Sequence, residues 1–176
     1  MDSGVKSNLL KKLLHFSQNS RISKLMKSVY LIKHSKGALG LRLFGLGPNL
    51  KPTKGLFKLQ RFLHRNAFWA RDRTIKDLKK CLANSDVVVS IWSNNEPVGF
   101  GRALSDGIYR GVLWDIVIDQ NHQGKGYGKM IVKNLLESKK IKHTKKIYLM
   151  TTSKKMFYSQ VDFKEVTSQN LLVHEI

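Results

Sequence analysis

The chain has 176 residues, with 32 Lys and Arg against 12 Asp and Glu, for a formal charge of +20. Apolar residues make up 41% and aromatics 9%, enough for one domain with its own core, so wholesale disorder is excluded despite the charge. Its longest uncharged apolar runs, such as Val87 to Trp92, fall far short of a bilayer-spanning helix; a lone cysteine, Cys81, and no Cys/His pattern at zinc spacing exclude a disulfide-stapled fold and a zinc finger, and no metal site is expected.

The charge is uneven. Residues 1–71 hold 15 Lys and Arg and one acid, Asp2, whereas residues 72–176 hold 17 and 11. Such an excess draws polyanions, or simply decorates a solvated surface. Residues 3–35 contain no acid, and Leu9, Leu10, Leu13, Leu14 and Phe16 fall on one helical face with Lys11 and Lys12 opposite. A transit peptide, an amphipathic surface helix and a helix packed on the domain all fit that composition, and no secretory signal is read there. Residues 1–27 are therefore set apart as a basic N-terminal extension of a domain over 28–176.

Ser28 to Lys33 reads Ser-Val-Tyr-Leu-Ile-Lys, a short strand, and several Gly and Pro then punctuate a loop-rich stretch around another strand at Leu41–Phe44. Leu56, Leu59, Phe62 and Leu63 recur at helical spacing and predict a helix over 54–66. Thr74 is suited to cap a second helix running through Ile75, Leu78 and Leu82 to Ala83. From Val87 the pattern turns to strands. Val87–Trp92, Pro97–Leu104 and Gly111–Asp119, separated by turns at Ser93–Glu96 and Ser105–Gly107, predict an antiparallel meander. Met130, Ile131, Val132, Leu135 and Leu136 mark a helix, and Lys146–Thr151 is a strand that a helical crossover sets parallel to the earlier one. A short helix at 154–160 and strands near Phe163–Val166 and Asn170–Glu175 close the chain. The order describes an α+β domain, a mixed, mostly antiparallel twisted sheet flanked by helices.

The most informative segment is Gln123-Gly124-Lys125-Gly126-Tyr127-Gly128-Lys129, between an apolar strand and a helix. Glycines there allow a tight turn, and unpaired N–H groups at the helix start with its dipole make a site for a pyrophosphate-sized anion. Lys125 and Lys129 add charge beside it. A P-loop string is absent, and the glycine spacing and the preceding meander do not suit a dinucleotide fold. The pattern Q/R-x-x-G-x-G/A, an acyl-CoA loop, is satisfied by Gln123 to Gly128.

With this loop behind a meander, the chain resembles the GNAT superfamily of acyl-CoA-dependent N-acetyltransferases. The stretches Val98-Gly99-Phe100-Gly101-Arg102-Ala103 and Leu113-Trp114-Asp115-Ile116-Val117-Ile118 look like its cyanobacterial and plastid branch, which includes chloroplast serotonin and protein N-acetyltransferases. The resemblance implies acetyl-CoA as co-substrate, a primary amine as acceptor (an arylalkylamine, a protein lysine or an N-terminus), and a cyanobacterial cytoplasm or plastid stroma as compartment. It implies that Ile116, Val117 and Ile118 offer strand backbone to the pantetheine arm. Gln123, Gly124, Lys125, Gly126, Tyr127 and Gly128 would hold the pyrophosphate, Thr151 would contact the cofactor arm, and Tyr158 would protonate the departing thiolate. Where the family usually has Tyr-x-x-x-Gly-Phe, this chain has Asp162 before Phe163; Asp is one of the few residues that tolerates a left-handed backbone. A homodimer is compatible with the family.

Asp115 is a candidate base. Strand alternation places it with Leu113 and Val117, opposite Trp114 and Ile116, and an acid in an apolar strand has a partner, a raised pKa or a wet cleft. The alternatives are a structural Asp bonded to backbone or to Arg102, His122 in the turn, or ordered water as the base. Trp114, with Phe68 and Trp69, could border an acceptor pocket or belong to the core. A different class of function also suits the charge: a nucleic-acid- or ribosome-associated module, or an acidic partner bound by the N-terminal region. No helix-turn-helix spacing, RNP-type motif or basic-aromatic sheet pattern supports the nucleic-acid reading.

Overall fold

The computed structural model describes residues 29–35 and 54–175. The helix expected near the N-terminus and the strand at Leu41–Phe44 lie outside the described residues. Val29–Ser35 forms β1, two residues longer at its end than the pattern suggests. Gly55–Asn66 (α1) buries Leu59, Phe62 and Leu63, and Ile75–Ala83 (α2) buries Leu78 and Leu82, the faces that the spacing sets out. Thr74 caps α2 as expected, its Oγ1 accepting the Asp77 N–H at 3.1 Å. Between the helices, Phe68–Ala70 is a single 3-10 turn packed down by Ala67 and Ala70.

Val87–Ser93 (β2) is buried at every position, as a central strand covered on both faces must be. A two-residue turn with positive φ at Asn94 (51°) and Asn95 (62°) returns the chain into Glu96–Ser105 (β3), and Arg110–Ile118 (β4) completes the meander. Tyr127–Leu136 (α3) then crosses over to Lys146–Tyr148 (β5), which lies parallel to β4. The sheet order is β1-β2-β3-β4-β5, antiparallel except for the last pair: an α+β domain with a mixed sheet, as expected.

The faces of the sheet carry separate cores. Val88, Trp92, Phe100 and Val117 pack with α1 and α2. Val87, Val89, Ile91, Ala103 and Leu113 pack with Ile131, Val132 and Leu135 of α3. Two expectations are corrected at the end of the chain. β5 stops at Tyr148, short of Thr151, and neither Phe163–Val166 nor Asn170–Glu175 is a strand. Strand-forming side chains need a neighbouring edge and a face to cover; Leu171, Leu172 and Val173 stay 68–88% exposed. Before them, Lys155–Ser159 forms a short helix, α4.

Candidate active site

β4 does not alternate regularly. Residues directly opposite on paired strands share a face, and Ala103 faces Leu113, Arg102 faces Trp114 and Phe100 faces Val117. Trp114 and Val117, three residues apart, therefore lie on one face, because Asp115 and Ile116 together oppose Gly101. This is a β-bulge, and Asp115 takes its left-handed position with φ 56°. The expected grouping of Asp115 with both Leu113 and Val117 is thus corrected: Leu113 packs against α3 and Val117 against α1 and α2. Trp114 likewise shares the Asp115 side, with the Arg102 guanidinium 5.9 Å over its ring.

The Asp115 side chain, 3% exposed, lies between two arginines. Arg73, from the α1–α2 connection, donates to it twice, at 2.8 and 3.0 Å, and Arg102 Nε donates at 2.6 Å. Burial alone would raise the pKa of this carboxyl, but hydrogen bonds and charge from Arg73 and Arg102 outweigh that and hold it below the usual carboxylate range. A carboxylate so matched accepts a proton poorly. Only the Arg102 partnership was visible beforehand; Arg73 is 42 residues away in sequence, with no local signal for the contact.

The other side of the bulge is open. The β4–β5 ladder ends at Val112↔Tyr148, so β4 beyond Val112 has no strand partner on that edge among the described residues. Beyond β4, Asp119 caps a 3-10 turn and bonds His122 Nδ1 at 3.0 Å, and His122 stacks on Tyr127. The glycine loop follows. Gly124 (φ 73°) and Gly126 (φ 79°) take backbone conformations that side chains resist, and a Cβ on either would project into open space. Gly128 is there for a different reason: a Cβ would sit 2.9 Å from Phe157 Cζ. The first bond at the α3 start runs from Met130 N–H to Gly126 C=O, leaving the N–H groups of Tyr127, Gly128 and Lys129 without partners in the helix.

These parts meet in one cleft of about 510 Å³. Of the residues expected to hold cofactor or act on it, Ile116, Ile118, Gln123, Gly124, Gly126, Tyr127, Gly128 and Tyr158 line it. Val117 does not, since its side chain is buried against α1 and α2. Lys125 is exposed with its Nζ on Asn121 C=O, and Thr151 is exposed with its hydroxyl accepting the Lys154 N–H; neither lines the cleft. Asp115 stands on the other side of the strand. Lys154, Phe157 and Gln160 line the cleft without having been singled out for it, because only the fold brings α4 to the loop.

Tyr158 is held edge-to-face by Phe157 at 4.9 Å and Phe163 at 6.1 Å. Burial pushes its phenol up from the ordinary value, so it stays protonated well beyond neutral pH. Asp162 adopts φ 66°, and the Phe163 N–H closes the turn onto Tyr158 C=O. The open spaces at Gly124 and Gly126, the free helix-start N–H groups and the nearby Lys129 and Lys154 suit a diphosphate, and the apolar strand edge suits a thin amide chain.

Comparison with known proteins agrees with this geometry. Residues 55–161 match the model of the acetyltransferase (GNAT) family. GCN5-related N-acetyltransferase 1, chloroplastic, of Arabidopsis thaliana is 30% identical over 132 residues, covering 73% of this chain and 62% of that one. An uncharacterized N-acetyltransferase ycf52 of Pyropia yezoensis is 36% identical over 73 residues, 39% of this chain and 41% of its own. Serotonin N-acetyltransferase 2, chloroplastic, of Oryza sativa is 35% identical over 66 residues, 34% of this chain and 32% of that one. The chain thus spans less than two thirds of the length of these relatives. In fold, a GNAT-family protein of Xanthomonas campestris superposes with a TM-score of 0.64 at 17% identity, covering 86% of this chain and 95% of that one.

Proposed function

The chain belongs to the acetyltransferase (GNAT) family, and on that footing we propose that it moves the acetyl group of acetyl-CoA to a primary amine by direct transfer. The observation that carries this reading is the single cleft that unites the β4 bulge edge, the glycine loop and Tyr158. In this proposal Gly124, Gly126, Tyr127 and Gly128 hold the diphosphate through backbone N–H groups, with Gln123, Lys125, Lys129 and Lys154 around it. The β4 edge from Ile116 through Val117 to Ile118 takes the pantetheine arm, and Thr151 lies near its path. Acetyl-CoA supplies an activated thioester carbonyl. The chain's own residues orient it, offer N–H groups of the open β4 edge to the developing oxyanion, and donate the Tyr158 proton to the departing thiolate.

Asp115 enters the proposal as a positioning residue. Matched by two guanidiniums, it fixes the bulge, and the proton of the attacking amine leaves to solvent. The acceptor approaches from the α1–α2 face, where Phe68, Trp69 and Trp114 are 66%, 51% and 37% exposed. Aromatic surface beside a carboxylate already neutralised favours an arylalkylamine over a lysine side chain, which would call for free acids. The rice relative named for serotonin is in keeping with that class. Chloroplastic relatives support a plastid-type setting, and among the described residues no helix is long and apolar enough to cross a membrane.

Calorimetric titration tests the reading. Acetyl-CoA should bind one-to-one, and acetyl-pantetheine, which lacks the diphosphate, about tenfold or more weaker. No binding of acetyl-CoA would remove the co-substrate. Acetylation of lysine peptides without acetylation of serotonin or tryptamine, read by mass spectrometry, would overturn the acceptor class.

A further inference from the structure

At the end of β4 away from the cleft, the β3–β4 turn presents Ile108 and Tyr109, each 57% exposed. Backbone bonds from Lys145 N–H to Ile108 C=O (2.9 Å) and from Lys146 N–H to Tyr109 C=O (3.1 Å) clamp the α3–β5 connection against this tip. In that connection Ser138 and Ile141 are buried, while Lys139, Lys140, Lys142 and Lys145 are exposed, as is Lys146 at the start of β5. Lys145 Nζ lies 5.0 Å over the Tyr109 ring and the Arg110 guanidinium 6.0 Å over Tyr148, so the charges are drawn around the tip. Of the two acids in these segments, Asp106 already accepts the N–H groups of Ile108, Tyr109 and Arg110, and Glu137 lies 3.8 Å from Lys133 of α3. None of the five lysines, nor Arg110, forms an ion pair among the described residues. The result is an exposed tip, apolar and aromatic at its summit and collared by six cations against two acids.

We propose that this tip docks the protein on an anionic lipid surface, with Ile108 and Tyr109 entering the headgroup layer and the lysine collar lying against the phosphates. An amphipathic ring and an aliphatic side chain suit the boundary between headgroup and acyl chain, and clustered lysines add attraction to anionic lipid. A nucleic-acid strand fits less well. Ile108 has no ring to stack on a base, one face of Tyr109 is taken by Lys145, and the surface is a tip rather than a groove tracking a backbone. The cleft begins at Ile116, about 20 Å along the strand from Arg110, so docking leaves it open.

The 176-residue chain is floated with vesicles of phosphatidylcholine containing about 30% phosphatidylglycerol, and with phosphatidylcholine alone, at about 150 mM salt. Capture is expected on the anionic vesicles only. It should fall about tenfold or more in a Lys139→Gln/Lys140→Gln/Lys142→Gln variant, and similarly in Ile108→Ser/Tyr109→Ser, while Lys→Arg at the same three positions preserves it. Every substituted side chain is exposed, so thermal melts should match the wild type; the arginine variant guards against loss through misfolding. The proposal fails if the wild type is not captured, or if either loss variant is captured as well as the wild type. It also fails if single-stranded RNA is retained more tightly than the vesicles at the same salt.

Discussion

Asp115 combines a left-handed backbone, burial and two arginine partners in the middle of an apolar strand. Replacing it with Asn keeps the tolerated backbone but strands two guanidiniums, and should cost about 3 kcal/mol in urea unfolding. The pH dependence has a definite sign. Its folded pKa is depressed, so the stabilisation is present above the unfolded value of about 3.9 and is lost as pH falls through the folded pKa. The gap between wild type and Asp115→Asn should therefore hold at neutral pH, begin to narrow below about pH 4 and close only below the folded pKa; a gap that does not narrow in acid would mean the carboxylate is not what the arginines stabilise. Tyr158 is the contrasting case, a group kept neutral by burial. Under the proposed function, Tyr158→Phe should lower kcat about 100-fold while calorimetric affinity for acetyl-CoA stays within about twofold.

Among elements, α3, its glycine loop and α4 act through one contact. The ring of Phe157 occupies the place where Gly128 would carry a Cβ, and the next residue is Tyr158. Gly128→Ala should destabilise by about 1–3 kcal/mol, and Phe157→Leu should relieve part of that, giving a coupling of about 1 kcal/mol in a double-mutant cycle. Independent effects would separate the loop from the tyrosine. Much of this was legible beforehand: helical spacing marked α1 and α2, β-branched runs marked the meander, and the glycines marked the loop. The bulge was not, because period-two alternation assumes one residue opposite one, and only pairing with Gly101 reveals the extra one. The Arg73 and Phe157 contacts were hidden for the same kind of reason, being long-range. The terminal strands failed differently: Leu171, Leu172 and Val173 have the side chains of a strand but no neighbour to pair with among the described residues.

Across the whole molecule, the chain carries a charge of +20, and the ligand proposed for the cleft is a polyanion. Acetyl-CoA affinity should fall several-fold between about 50 and 200 mM salt, and acetyl-pantetheine affinity should not. Acetyl-pantetheine carries no charge, so equal salt sensitivity of the two would mean that salt acts on the protein rather than on its attraction for the diphosphate. The bulge has a wider meaning for how such a molecule is written. Without Asp115, β4 would read Leu113-Trp114-Ile116-Val117-Ile118 in regular alternation, with every apolar side chain on the face it now occupies. The strand is thus an ordinary structural sentence carrying one surplus letter, the single acid within it. That surplus shifts the phase of the chain halfway along the sheet, so that one half is paired on both edges and the other opens onto the cleft.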